Sequence, residues 1–142
     1  MTTALVRSLV TVASSVQAAF GVWHFFVPRI WSWYGYVDPS ATELVLAVRA
    51  VNFFFSVCLV LMAAVNVLLV LAKEPSRYAL QVVLAVSALL WLARVGMQLL
   101  FPQGSMRPAL QYGMLAIFLA VASAYVASFS VLTFTRPRRD MR

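Results

Sequence analysis

Four long apolar segments dominate this chain of 142 residues. They cover approximately residues 5–27, 44–72, 78–101 and 110–134. Each segment is longer than the ~20 residues that a helix needs to cross a bilayer at about 1.5 Å per residue. Apolar residues make up 63% of the sequence, against roughly 45–50% in soluble domains. The segments therefore predict four membrane-spanning helices.

The connections between the apolar segments are short. The longest covers residues 28–43 and is too small to form a soluble domain. We therefore predict a single transmembrane domain over residues 1–142. The predicted fold class is all-α, an integral-membrane antiparallel four-helix bundle.

The formal net charge of +7 is distributed in a way that predicts the orientation in the membrane. In a soluble chain such a charge would suggest nucleic acid, but here most cations lie at the ends of apolar segments. Arg29 and Arg107 fall on one side, with Arg49 at the border of that side. The cations on the opposite side are Arg7, Lys73, Arg77, Arg136, Arg138, Arg139 and Arg142. The excess of cations predicts that both termini are cytoplasmic, with membrane lipids and not nucleic acid as partners.

Small residues at helical spacing predict where two of the segments pack closely against neighbours. In the first segment they are Ser8, Thr11, Ser15 and Ala19, and in the fourth they are Ala116, Ala120, Ala124 and Ser128. Asn66, in the second segment, is a candidate for a hydrogen bond between helices.

A set of polar residues inside the apolar segments forms the candidate site. Arg94 is the most costly of them, since it lies roughly 10 Å from the end of the third segment and no Asp or Glu lies within any segment. It shares a helix face with Ser87, Trp91 and Gln98. If both termini are cytoplasmic, six residues converge in the outer third of the bundle: His24, Arg49, Asn52, Arg94, Gln98 and Gln111. They predict a polar, net-positive pocket that opens outward.

The residue types in this predicted pocket suit an anion or a carbonyl group. Arginine presents a fork of donors that matches phosphate or carboxylate, and Gln, Asn and His add donors and acceptors. The candidate ligands are an anionic lipid headgroup, a carboxylate and a quinone. In the alternative interpretation Arg94 has no ligand, and either extends to the membrane surface or pairs with Asp38 or Glu43.

Catalytic and metal-binding patterns are weak in this sequence. Cys58 is the only cysteine, which excludes an internal disulfide and a thiolate metal cluster. We identify no catalytic residue, no metal ligand set and no cofactor, and we favour a chain without catalytic activity of its own.

The connection after the first segment is aromatic. Trp31, Trp33, Tyr34 and Tyr36 lie within six residues, which is typical of an interfacial aromatic belt. A lid over a binding site is the alternative.

The end of the first segment resembles a known family. The motif Gly21-Val22-Trp23-His24-Phe25-Phe26-Val27-Pro28 resembles the DoxX-like group of small four-helix bacterial membrane proteins. Many members carry an acid near the start of the second helix, where this chain has Val48-Arg49-Ala50-Val51-Asn52. The resemblance implies an accessory subunit of a larger complex in the bacterial cytoplasmic membrane, near quinone. The alternatives are a subunit of a quinone-linked oxidoreductase and a small channel or transporter built as a homo-oligomer.

Overall fold

The computed structural model describes residues 4–104 and 106–135, and the described chain is helical without strands. Its elements are α1 (Ala4–His24), α2 (Val27–Ile30), a 3-10 turn (Trp33–Tyr36), α3 (Thr42–Leu71), α4 (Arg77–Leu100) and α5 (Pro108–Phe134). The basic tail that entered the orientation argument, from Arg136 to Arg142, lies outside the described residues.

The four long helices α1, α3, α4 and α5 are each long and apolar enough to cross a membrane. They confirm the all-α class and the presence of four long apolar helices at the predicted places. The antiparallel arrangement of the bundle and the insertion itself stay predictions.

Helix α1 ends three residues earlier than the sequence predicted, at His24 instead of Val27. Pro28 explains the difference, because proline lacks the N–H that would donate to the carbonyl of His24 in a continuing helix. The chain instead begins the short helix α2, with Pro28 in its first turn. The His24 carbonyl accepts a hydrogen bond from the side chain of Asn52.

The chain contains two compact units. One is residues 14–64, here called the central unit. The other combines residues 1–13 with residues 65–142 and is here called the hairpin unit, because it contains α4, α5 and their connection.

The buried face of α5 in the hairpin unit agrees with the predicted stripe only at its end, where Ser128 is buried and Ala124 half-buried. Ala116 and Ala120 are exposed, so the prediction that Ala120 packs closely against a neighbouring helix is wrong for this chain. The buried residues of α5 are Phe118, Val121, Ala122, Tyr125, Ser128 and Leu132. This inner face combines large rings with small residues, and the rings of Phe118 and Trp91 lie 5.7 Å apart.

The predicted small-residue face of α1 is also wrong. Ser8, Ser15 and Ala19 are exposed. The buried residues of α1 are Val6, Val10, Ala13, Ser14, Gln17 and Gly21. These recur at three and four residues, so the buried stripe keeps the helical period but lies on a different face.

Asn66 and Arg77 each donate hydrogen bonds between helices of the hairpin unit. The Asn66 amide donates to Ser87 Oγ at 2.9 Å and to Tyr125 Oη at 3.3 Å, which confirms the predicted hydrogen bond between helices. At the carboxyl end of α5, Arg77 donates to the carbonyls of Leu132 and Thr135. A cation at this helix end satisfies carbonyls that have no partner within the helix.

Candidate functional site

Gly21 sets the geometry of the central unit, because it lets α1 approach α3 closely. A Cβ atom at Gly21 would lie 3.0 Å from both Leu59 Cβ and Val60 Cγ2 and 3.1 Å from the Ser56 carbonyl. Nearby, buried Gln17 donates to the Leu59 carbonyl at 3.1 Å. The close contact brings the end of α1 against the first half of α3.

His24 and Asn52 meet where α1 ends. Asn52 Nδ2 donates to the His24 carbonyl at 3.0 Å, and Asn52 Oδ1 lies 3.4 Å from His24 Nδ1. One turn later, Ser56 Oγ donates to the Asn52 carbonyl at 2.7 Å. The Asn52 side chain therefore contacts both the backbone and the ring of His24.

Aromatic rings surround the His24 imidazole. Its centroid lies 4.8 Å from the ring of Phe55 and 4.9 Å from that of Phe20, and both contacts are edge-on. Trp23 adds a third ring at 5.7 Å. These contacts hold the imidazole in one orientation inside an apolar environment.

A cavity of about 390 Å³ adjoins this pair. Its lining residues are His24, Trp33, Ala47, Val48, Val51, Asn52 and Phe55. The volume is within the range of about 300–1,000 Å³ seen for small-molecule sites, which are mostly apolar with a few placed polar groups.

Sequence analysis identified only two of the lining residues, His24 and Asn52. Val48, Val51 and Phe55 share a helix face with Asn52 through spacings of three and four residues. This helical periodicity is the signal by which the sequence could have placed Val48, Val51 and Phe55 in the same wall as Asn52. Trp33 could not be placed from periodicity, since it lies in the 3-10 turn.

The 3-10 turn also positions the partner of Arg49. Ser32, just before the turn, has a left-handed backbone with φ of 50°, a conformation that is uncommon for residues other than glycine. The exposed Arg49 guanidinium lies over the Tyr34 ring, 5.1 Å from its centroid. Arg49 is therefore next to the cavity in sequence, while its guanidinium makes a cation–π contact outside the lining.

Arg94 and Gln98 bind the connection between α4 and α5 in the hairpin unit. Arg94 Nη2 donates to Gln103 Oε1 at 2.6 Å, and the guanidinium lies 4.3 Å from the centroid of Phe118. Gln98 Nε2 donates to the Gln103 carbonyl at 3.0 Å. The predicted face of Ser87, Trp91, Arg94 and Gln98 is confirmed, since three of these residues are buried and Arg94 is half-buried.

Four of the six predicted site residues form two pairs, and Arg49 and Gln111 belong to neither pair. His24 and Asn52 are in contact in the central unit, and Arg94 and Gln98 share Gln103 as a partner in the hairpin unit. Gln111 is half-buried in the first turn of α5. That all six line one pocket stays a prediction.

Asp38, one of the acids considered as a partner for Arg94, is bonded locally. Its carboxylate accepts from the Ser40 N–H at 2.9 Å and from the Ser40 hydroxyl at 2.8 Å. These two hydrogen bonds lower the pKa of the exposed Asp38 carboxyl. They shape the connection that precedes α3.

Comparisons of this chain with protein-family models, curated proteins and solved structures give no match. Among the described residues, no three His, Cys, Asp or Glu side chains are grouped to hold a metal ion. The geometry of the cavity therefore carries the functional argument.

Proposed function

We propose that this chain is an integral-membrane binding protein whose ligand occupies the cavity of the central unit. The observation that carries the proposal is an apolar cavity of about 390 Å³ with the imidazole of His24 and the amide of Asn52 in its wall. This combination is typical of sites that bury an apolar body and orient it through a few hydrogen bonds.

The lining favours an uncharged ligand among the three predicted classes. None of the cavity residues carries a permanent charge, and Arg49 stacks on Tyr34 instead. Burying an anion without a paired cation is costly. A quinone-like ring with a small polar group therefore suits this cavity better than a phosphate headgroup or a carboxylate.

We take the accessory role from the resemblance to the DoxX-like group, and three residues of its motif shape the proposed site. Gly21 allows the close helix contact, His24 lines the cavity, and Pro28 leaves the His24 carbonyl to Asn52. We propose on this basis that the chain is an accessory subunit, in a larger complex of the bacterial cytoplasmic membrane, that holds a quinone-like molecule.

Filling the cavity should weaken the binding of a naphthoquinone probe. Val48 lines the cavity, whereas Leu46 on the same helix is exposed and outside the lining. We expect Val48→Trp to weaken binding of 2-methyl-1,4-naphthoquinone at least tenfold, and Leu46→Trp to bind like the unmodified chain. Native mass spectrometry of the detergent-solubilised protein, titrated with the probe, measures both. Unchanged binding to Val48→Trp would refute the proposal.

The same titration tests whether Arg94 belongs to this site. Weaker binding to a folded Arg94→Ala variant would support a shared pocket for the six predicted residues. Binding equal to that of the unmodified chain would confine the site to the central unit.

We also propose that both termini are cytoplasmic. Ser40 precedes α3 and Ser76 precedes α4, and both are exposed. In a Cys58→Ala background, Ser40→Cys should react with a membrane-impermeant maleimide in intact cells, whereas Ser76→Cys should react only after permeabilisation. The reverse labelling pattern would invert the orientation.

A further inference from the structure

Arg94 carries a charge that no acid of the neighbouring helices neutralises. Residues 75–139 contain no Asp or Glu, and Glu74 precedes the opposite end of α4. Among the described residues, the guanidinium contacts the neutral side chain of Gln103 and the ring of Phe118. A guanidinium has five N–H donors, so most of its donors and its net charge are left for a further partner.

The guanidinium lies at the level of the connection between α4 and α5. Arg94 is six residues before Leu100, where α4 ends, yet it donates to Gln103, three residues beyond that end. The side chain therefore extends toward the end of the apolar helix, as long cationic side chains near a membrane surface do. If α4 crosses the bilayer as predicted, this is the level of the lipid headgroups.

The start of α5 adds positive charge to the same connection. Arg107 is exposed, and its N–H donates to the carbonyl of Gly104, the residue after Gln103. Arg107 is also the N-cap of α5 and makes no capping hydrogen bond through its side chain. The first turn of a helix carries a partial positive charge. Arg94, Arg107 and this helix end are therefore bonded to adjacent residues of one short connection.

Exposed apolar side chains flank these cations along the chain. Leu99, Leu100 and Phe101, at the end of α4, are each at least 63% exposed, and Met106 in the connection is 93% exposed. A small hydrated anion would leave this apolar surface uncovered, whereas a phospholipid covers it with acyl chains. Cations without acids beside an exposed apolar surface are complementary to a molecule that combines an anionic head with apolar chains.

We propose that the connection between α4 and α5 binds an anionic phospholipid, whose phosphate accepts from the remaining donors of Arg94 and pairs with Arg107. The guanidinium suits this role because its fork of donors matches two phosphate oxygens. None of these residues lines the cavity of the central unit, so this second site does not depend on the ligand of that cavity.

Two phospholipids with the same acyl chains separate the headgroup charge from the apolar contacts. Native mass spectrometry of the detergent-solubilised chain, titrated with dioleoylphosphatidylglycerol or with dioleoylphosphatidylcholine, measures both affinities. Each cation near an anionic lipid contributes roughly fivefold in affinity. With two cations we expect the phosphatidylglycerol to bind about tenfold or more tightly. Equal affinities for the two lipids would overturn the proposal.

Three substitutions locate the preference on the chain. Arg94→Gln and Arg107→Gln each remove one cation and should each reduce the preference about fivefold. Arg29→Gln is the matched control, because Arg29 is an exposed arginine of the central unit that is predicted to lie on the same side of the membrane. It should leave the preference unchanged.

The exposed position of Arg107 keeps the test valid even if Arg94→Gln fails to fold. An equal reduction in Arg107→Gln and Arg29→Gln would show attraction by net charge alone and would refute a site at this connection. Inorganic phosphate in excess should not displace the phosphatidylglycerol, because it cannot cover the apolar surface. Full displacement would assign these cations to a free anion instead of a lipid.

Discussion

Replacing Gly21 by alanine is expected to destabilise the protein by about 1–3 kcal/mol, the usual cost of overpacking a well-packed contact. The added Cβ would meet Leu59 Cβ and Val60 Cγ2 at 3.0 Å and a backbone carbonyl at 3.1 Å. The carbonyl cannot move without shifting α3, so the helices must separate. His24 and Asn52 depend on this contact, and the variant should also weaken probe binding.

The same substitution at Gly96 provides a matched control. Gly96 lies within α4, and a Cβ there would meet nothing within 4 Å. Alanine favours a helix over glycine by up to about 1 kcal/mol, so Gly96→Ala should be neutral or stabilising. Unfolding by a denaturing detergent, followed by circular dichroism, measures both. Equal effects at the two glycines would contradict the close approach of α1 and α3.

The spans and one helix face followed from the sequence because they are local properties. Hydropathy depends only on composition along a segment, and the four long apolar helices are confirmed. The face of α4 that holds Ser87, Trp91 and Gln98 follows from helical period alone, and all three are buried. Asn66 was a correct candidate for the same kind of reason, since a buried amide needs partners.

Most of the predicted packing stripes were wrong because small residues allow a neighbouring helix to come close but do not determine which face of the helix it contacts. Ala120 allows a close neighbour, but the ring contact of Phe118 with Trp91 and the hydrogen bond of Tyr125 with Asn66 lie on another face of α5. Gly21 is the small residue at which the close approach occurs. Which small residue is used depends on the neighbouring helix, and helical periodicity does not contain that information.

The partners of the polar residues were missed for a related reason. The sequence pointed to Asp38 or Glu43 as partners of Arg94, whereas its partner is the amide of Gln103 nine residues later. The path of a connection cannot be read from periodicity. The pairing of His24 with Asn52 spans 28 residues. Pro28 was the available signal for this pairing. Because Pro28 has no N–H, the His24 carbonyl lacks its helical donor, and buried carbonyls are nearly always hydrogen-bonded.

Replacing Arg94 by leucine is expected to destabilise the hairpin unit by about 1–3 kcal/mol, because a charge-assisted hydrogen bond and a cation–π contact are lost together. Gln103 would lose its donor and Phe118 its cation. The stability of Arg94→Lys should lie between that of Arg94→Leu and that of the unmodified chain. An ammonium keeps the charge but cannot lie flat on the ring as a guanidinium does.

A double-mutant cycle isolates the ring contact. Arg94→Leu and Phe118→Leu, measured singly and together by unfolding in a denaturing detergent, should show a coupling of about 0.5–2 kcal/mol. The cycle cancels the separate effect of Phe118→Leu on Trp91, whose ring it also contacts. Phe134, which is exposed near the far end of α5, is the control and should show no coupling with Arg94. If Arg94 and Phe118 are additive within about 0.3 kcal/mol, the guanidinium gains nothing from the ring, and Gln103 is left as its stabilising partner within the hairpin unit.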